Sequence, residues 1–434
     1  MIGDKNKKHS EYLNLLRTVR LDSFPELDLS RALYLDSLYA FDLNWAKVLK
    51  ALIRNCFYKI PELDIRFRDN SILMLTTIHG RNDHDSYWNS IKELFPVKDE
   101  IILNDRFTVK EYLRNISLKG ILSRMKSYRN AYIALKVIEN KSHRSYLASK
   151  IVRCEKYINE IKNQTRNTKI VIAFCDTYLF ENVMIQFLHN RGAVCITNQH
   201  GQPVFRGWDK DHLNQSQIFN FSSDYYIAKG NYSKRQFVKA GFNEKKIVVL
   251  GSMNKEIPKL RFHDSLKIFG VFTDCVLYDF AGDTNKKIIK MAEKISEKMN
   301  MSYFIKIHPS DALKDYNRIT TSGCVGIYKD EYTNEELFEQ IEFGIMSASA
   351  IYLDMLYANV KCYQMKTNIE FPIVESQEDI FESCDQFMAK FAVWRRLPAA
   401  EKEIYFAEQQ KEYGVCENTG QKIQAFVASF IEKI

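Results

Sequence analysis

Residues 168–201 read TKIVIAFCDTYLFENVMIQFLHNRGAVCITNQHG, and the fold turns on them. TKIVIAFCD is a short apolar, β-branched run, as a buried strand requires. FENVMIQFLHNRG has the length of a helix and stops at a glycine. AVCITNQHG then opens a second strand that breaks at once into Gln199, His200 and Gly201. Strand, helix and strand in so short a span predict a βαβ unit, with parallel strands and a right-handed crossover.

The alternation continues toward the C-terminus. SSDYYIAKG and KKIVVLGS read as strands around the helix NYSKRQFVKAG. LKIFGVFTD, SYFIKIHPS, GCVGIYKD, FGIMSAS and NVKCYQM follow as strands, with helices at NKKIIKMAEKISEKM, TNEELFEQ and IYLDMLYA between them. Toward the N-terminus, SILMLTTIHGRND (71–83) reads as a strand ending in a polar loop, before the helix YWNSIKELF and the strand EIILN. Residues 1–70 read as helical and irregular, and 107–165 as a basic helical region. The predicted class is α/β, built on parallel sheets, with a helical N-terminal portion. NKEIPKLRFHD interrupts the pattern, which divides the chain into 1–258 and 259–400. The helical tail 401–434 is expected to pack back on the first domain.

A chain of 434 residues suits two or three domains. Its 46% hydrophobic and 27% charged residues fit an ordered soluble protein. A net charge of +8 is modest, well short of a nucleic-acid wrapper; it suits an anionic ligand, an anionic membrane surface, or solubility alone. The basic segments KGILSRMKSYR (119–129) and VWRRL (393–397) have the same readings, a solvated helix face being the commoner. Nine cysteines without a C-x-x-C pair are expected to be reduced and buried. MIGDKNKKHSEYLNLL lacks the apolar stretch of a signal peptide, and no window of 18 apolar residues occurs. The expected location is cytoplasmic, with peripheral attachment to the inner face of the membrane left open.

In open parallel sheets, ligands sit at the carboxyl ends of strands. Four loops share that address: His200 with Gly201, Gly251 with Ser252, His308 with Pro309, and Ser347 with Ser349. Ser347 and Ser349 precede a helix, where hydroxyls and unpaired backbone amides suit an anion, or simply cap the helix. His308 and Lys306 lie on a neighbouring strand end, so a phosphate or diphosphate is the natural guest of this group. His200 is suited to taking a proton from a hydroxyl nucleophile, or to bonding a carbonyl across the cleft. His79, Gly80 and Arg81, with Asp83, form a weaker cluster facing an acceptor. His189, late in a helix, is expected to serve the helix C-terminus. His212 and His263 fall in polar segments with no partner in view. The D-x-D in WDKDH (208–212) sits in a polar stretch and does not follow a strand. No bound metal or cofactor is therefore expected.

QHG at 199–201, FSSDYYIAKG with GFNEKKIVVLGS across 221–252, KIHP at 306–309 and MSASAIYLDML at 346–356 resemble the CDP-glycerol glycerophosphotransferases of teichoic-acid synthesis. They are also similar to capsule glycosyltransferases, including the bacterial polysialyltransferases. The resemblance covers about 170–365 and implies the GT-B architecture, two Rossmann-like domains facing a cleft, with donor nucleotide held by the second. It assigns His200 to the acceptor-activating base and His308 to the donor phosphates. Gly251 and Ser252 fall on a family turn without its proline and arginine, and Thr273 in FGVFTD (269–274) is placed nearest the ligand. Ser349 matches the first of two family serines and Ala350 replaces the second, while Asp354 keeps a helix carboxylate that caps or pairs locally. The lost hydroxyl favours a sugar-transferring relative.

The expected function is metal-independent, inverting transfer of a sugar from a nucleotide-sugar to a glycan or lipid-linked acceptor in surface-polysaccharide synthesis. Lys306, His308, Ser347 and Ser349 would stabilise the departing nucleotide. Two alternatives are a CDP-polyol phosphotransferase and a non-catalytic protein that binds nucleotides or scaffolds a polysaccharide complex.

Overall fold

The computed structural model describes residues 2–21, 24–40, 43–57, 64–66, 71–78, 82–104, 118–199, 221–253, 266–274, 284–309, 311–316, 322–347, 349–367, 373–414 and 418–431. The expected break at 258/259 lies outside them.

Two parallel sheets organise the chain. The first contains β1 (Asp64–Arg66), β2 (Ile72–Ile78), β3 (Asp99–Asn104), β4 (Ile170–Ala173), β5 (Val194–Asn198), β6 (Tyr225–Ala228) and β7 (Ile247–Val249). Its order is β1-β3-β2-β4-β5-β6-β7, and all neighbours are parallel except β1 on β3. The second contains β8 (Ile268–Phe272), β9 (Ser302–Lys306), β10 (Cys324–Tyr328), β11 (Phe343–Met346), β12 (Lys361–Met365) and β13 (Ile380–Phe381), in the order β10-β9-β8-β11-β12-β13 and parallel throughout. Helices cover both faces of such sheets, so β4 and β11 are buried at every residue. That is why these strands read as unbroken apolar runs and not as alternating ones.

The N-terminal helices α1 (Ile2–Thr18), α2 (Leu29–Ala32), α3 (Tyr34–Ala40) and α4 (Trp45–Leu52), the last continuing into a π-helical turn Ile53–Phe57, lie on one side of the first sheet. α5 (Asn82–Glu93) packs on the other side through Trp88 and Ile91. α6 (Leu118–Ala134) and α7 (Lys141–Ile161) join the N-terminal helices, and α7 seats α8 (Leu179–His189) against the sheet. α9 (Asn231–Lys239) crosses from β6 to β7. In the second half come α10 (Thr284–Met299), α11 (Asn334–Phe338), α12 (Ile351–Tyr357), α13 (Cys384–Arg396), α14 (Ala399–Tyr413) and α15 (Thr419–Ile431).

The tail divides between the two lobes. α14 contributes Phe406 and Tyr413 to the core of the second lobe. α15 returns to the first, where Phe426 and Phe430 set their rings 5.4 and 5.1 Å from that of Tyr225.

The lobes meet through tyrosines. Tyr232, in the first turn of α9, stacks on Tyr413 at 4.5 Å, and Tyr413 meets Tyr352 of α12 edge-on at 5.1 Å. α9 starts just beyond the carboxyl end of β6 and α12 just beyond that of β11, so the stack joins the carboxyl edges of the two sheets. Arg235 of α9 adds ion pairs to Glu375 and Glu412. Ser252, after β7, donates its amide to Gly414 O at 2.9 Å.

Backbones touch at this joint. A Cβ on Gly230 would collide with Glu412 O, and one on Gly414 with Lys229 O. Gly414 also has φ +105°, whereas Gly192, at φ +89°, faces open space. Gly192→Ala therefore isolates the backbone strain and should cost roughly 1–2 kcal/mol. Gly414→Ala should cost roughly a further 1–3 kcal/mol from overpacking at the joint. Urea unfolding of the two variants checks the difference.

Candidate functional site

Each sheet has one place where the direction of winding reverses. In the second sheet the chain runs from β8 outward through β9 to β10, then returns to add β11 on the other side of β8. Crossovers therefore leave on opposite faces of β8 and β11, which opens a crevice beyond their carboxyl ends.

Three expected residues line up there. Met346 is paired with Phe272, and Phe272 with Lys306, so Ser347, Thr273 and Ile307 are the next residues past one cross-sheet row. Thr273 Oγ1 accepts the His308 amide at 3.2 Å and ties the end of β9 to that of β8. A buried network holds the loop behind it. Tyr316 OH donates to Asp311 Oδ2 at 2.7 Å, Asp311 N donates to His308 O at 2.9 Å, and Asn285 Nδ2 donates to Tyr316 OH at 2.9 Å. His308 itself is half-buried.

Ser347 is fully buried, and its Oγ has no hydrogen-bond partner among the described residues. The Ser347 carbonyl accepts from Gln364 Nε2, and Gln364 Oε1 accepts the Val374 amide at 3.0 Å, so the strand end is rigidly held. An unpaired buried hydroxyl costs about 1–3 kcal/mol, which a polar ligand atom at the crevice would recover.

The other expected residues lie apart from this group. Lys306 Nζ donates to the carbonyls of Lys329 and Tyr332, and burial lowers its pKa below the ordinary lysine value against the opposing pull of Asp330 and Glu331. Its charge is thus directed to the turn after β10. Ser349 Oγ accepts only a long bond, 3.4 Å, from Ile351 N at the start of α12. Asp354 accepts from Asn334 Nδ2 at 3.0 Å, a local tie. Gly251, with φ +108°, and Ser252 sit at the joint between the lobes, on the first sheet and not the second. His79, Gly80, Arg81, His200, Gly201, His212 and His263 lie outside the described residues.

The first sheet reverses between β2 and β4. Beyond β4, Asp176 is buried, and its Oδ2 accepts from Ser222 N at 2.9 Å, Ser223 N at 3.2 Å and Ser223 Oγ at 3.1 Å. Burial outweighs these bonds and pushes its carboxyl up to about 6. A carboxylate directly after a buried strand, in IVIAFCD, was a signal in the sequence that spacing alone did not single out. Gln199, the residue before His200, is fully buried and clamped: its Nε2 donates to Ser233 Oγ at 2.9 Å and its Oε1 accepts Lys229 N at 2.8 Å. Lys229 lies with Nζ 4.9 Å over the Tyr87 ring.

Asp176 makes a testable pH signature. Its folded pKa is raised, so its contribution to stability is full below about 3.8 and is lost as pH rises through about 6. The stability of wild type relative to Asp176→Asn should therefore fall by about 2–3 kcal/mol across that window. Urea titrations of both proteins over the same pH range measure it.

Among the described residues, one His–Cys–Asp grouping is close enough for a metal, His189, Cys195 and Asp224. It lies at the amino end of β5, away from the crevices. The Cys195 thiol is buried, lies 3.6 Å from Ile185 O and 3.7 Å from Ala193 O, and has its pKa raised well above the ordinary value by burial. His189 Nδ1 and Asp224 Oδ2, 3.2 Å apart, tie α8 to β6.

Comparison with known proteins follows the same architecture. The chain is similar in fold to a UDP-GlcNAc 2-epimerase of Methanocaldococcus jannaschii solved with UDP-GlcNAc and UDP, at 12% identity and TM-score 0.50, covering 82% of this chain and 99% of that one. It is similar to S. aureus MnaA solved with UDP, at 10% identity and TM-score 0.50, covering 84% and 97%. It is similar again to the lipopolysaccharide outer core galactosyltransferase WaaB in its apo form, at 11% identity and TM-score 0.50, covering 84% and 99%. The fold is GT-B. No family model matches the chain, and no curated protein matches it.

Proposed function

We propose that this GT-B protein transfers a sugar from a nucleotide-sugar donor to a glycan or lipid-linked acceptor in the synthesis of a cell-surface polysaccharide, on the cytoplasmic side. The observation that carries the reading is the unpartnered, buried Ser347 hydroxyl at the β8/β11 reversal, with the end of β8 between it and His308. Structural neighbours solved with UDP or UDP-GlcNAc support a nucleotide-sugar as the guest.

In the proposed step, His200 takes the proton of an acceptor hydroxyl as its oxygen attacks the anomeric carbon. The bond from that carbon to the nucleotide phosphate breaks, and its electron pair leaves with the phosphate. Attack opposite the leaving group inverts configuration. Negative charge grows on the phosphate oxygen, where preorganised donors such as Ser347 Oγ and the His308 side chain act most strongly. No metal takes part in this scheme. Closure of the lobes around the joint at Gly230 and Gly414 would exclude water.

Ser347→Ala separates a ligand role from a structural one. Removing an unpaired hydroxyl should leave the empty protein as stable as before or slightly more so, while nucleoside diphosphate binding weakens about tenfold. His308→Ala should raise the donor KM and lower kcat. Nucleotide release is measured with UDP-, CMP-, GDP- and CDP-linked donors. Polyol phosphate transfer from CDP-linked donors alone would replace this reading with the phosphotransferase one, and binding of nucleotide without turnover of any donor would replace it with the non-catalytic one.

A further inference from the structure

Most of the exposed large apolar side chains described in the first lobe, Val97 and Ile431 apart, lie along two helices. Trp45 and Leu49, one turn apart on α4, are 64% and 56% exposed, and Ile53 continues their stripe. On α6, Leu118 and Leu122 are 74% and 63% exposed, and Met125 and Ile133 extend that face. Spacings of three, four and eight residues place each set on one side of its helix. Both helices pack on α7, and Arg124 Nε of α6 donates to Cys56 O, just past α4, at 2.7 Å.

Basic residues interleave with these stripes. From 118 to 138 the chain carries Lys119, Arg124, Lys126, Arg129 and Lys136 and no Asp or Glu, and α4 carries Lys47 and Lys50 with no acid. Beside the α6 stripe is an open groove of about 670 Å³ lined by Met125, Lys126, Tyr128, Arg129, Tyr132 and Ser145. Arg144 lies 5.0 Å over the Tyr132 ring at its wall. Two cations and two tyrosines thus line a notch that opens next to an apolar stripe.

We infer that α4 and α6 form a membrane-docking surface, which inserts Trp45, Leu49, Leu118 and Leu122 into the interface of a bilayer and seats an anionic lipid headgroup against Lys126 and Arg129. Apolar insertion and attraction to anionic lipid are the two contributions that hold an interfacial helix. A second copy of the chain would oppose like charge to like charge on this face, whereas an anionic bilayer satisfies both features. No described helix is long and apolar enough to cross a membrane, so the contact is interfacial. The other basic segment is occupied within the fold. Trp394 is buried, and Arg395 makes paired bonds to Glu342 at 2.6 and 2.9 Å. The inference stands independently of the transfer reaction, because it needs no donor or acceptor.

Co-sedimentation with vesicles of phosphatidylcholine, with and without phosphatidylglycerol, tests it. The protein should pellet with the anionic vesicles and be released by salt. Leu118→Ser with Leu122→Ser, and separately Trp45→Ser with Leu49→Ser, should each weaken binding on the order of tenfold. Lys126→Ala with Arg129→Ala should flatten the salt dependence. All these side chains are exposed, so thermal unfolding followed by circular dichroism should be unchanged. Equal pelleting with both vesicle types would overturn the inference, as would wild-type binding by every variant. So would a concentration-dependent dimer, seen by light scattering without vesicles and lost in the leucine variant.

Discussion

His200→Ala should lower the rate of sugar transfer by about a hundred- to ten-thousandfold while nucleotide binding stays intact. The expectation rests on a division of labour between the lobes. The proposed donor crevice lies at the ends of β8, β9 and β11 of the second sheet, and His200 follows β5 of the first in sequence. Gln199, immediately before it, is held by Ser233 and by the Lys229 amide, so the chain enters the 200 position from a fixed strand end. On the proposed reading, a base at that position would act on the acceptor and add nothing to nucleotide binding. Turnover with each donor, set beside calorimetric binding of the matching nucleoside diphosphate, separates the two effects. Loss of nucleotide binding together with activity would mean that His200 serves the fold or the donor, and not the acceptor.

Asp379→Ala should produce the largest loss of stability, about 3–5 kcal/mol. Lys361 and Asp379 form an ion pair with both side chains buried, and Tyr405 OH donates to the second carboxylate oxygen. The Lys361 ammonium lies 3.7 Å over the ring of Tyr405 and 4.3 Å over that of Trp394. Burial lowers its pKa below the ordinary lysine value, and Asp379 opposes that shift. Removing the carboxylate leaves a cation in an aromatic enclosure without its counter-ion. Replacing both partners, Lys361→Met with Asp379→Leu, should restore most of the loss, because paired buried charges are often exchangeable for apolar side chains. Urea unfolding of the single and double variants gives the coupling. Because Tyr405 belongs to α14, which also carries Tyr413 to the joint, the single variant should also loosen the contact between the lobes.

Local patterns made the elements legible. The apolar runs at 170–173 and 343–346 are buried strands, and the helices ending near Gly192 and Gly241 close on glycines with φ +89° and +96°. The carboxyl ends of strands could be identified, which is why His308 and Ser347 could be named together; Thr273 came from the family resemblance. Contacts between distant segments were not legible. The Tyr232–Tyr413–Tyr352 stack joins residues far apart in sequence, and each tyrosine alone reads as ordinary core. Gly251 was recognisable as a turn, but the acceptor of the Ser252 amide, Gly414, closes the last helix of the second lobe. Lys306 was close to His308 along the strand, yet its direction depends on carbonyls offered by 329 and 332. Asp379 lies in the polar stretch ESQED with nothing local to mark its burial, and only folding encloses it. Periodicity records which face of an element is buried; it does not record which edge meets which.

The most direct measurement is a crystal structure with a nucleoside diphosphate bound, drawn from a panel of bases. The account predicts the diphosphate in the crevice between β8 and β11, with a phosphate oxygen within hydrogen-bonding distance of Ser347 Oγ and His308 beside it. A nucleotide bound elsewhere, with the Ser347 hydroxyl still unpartnered, would contradict the account.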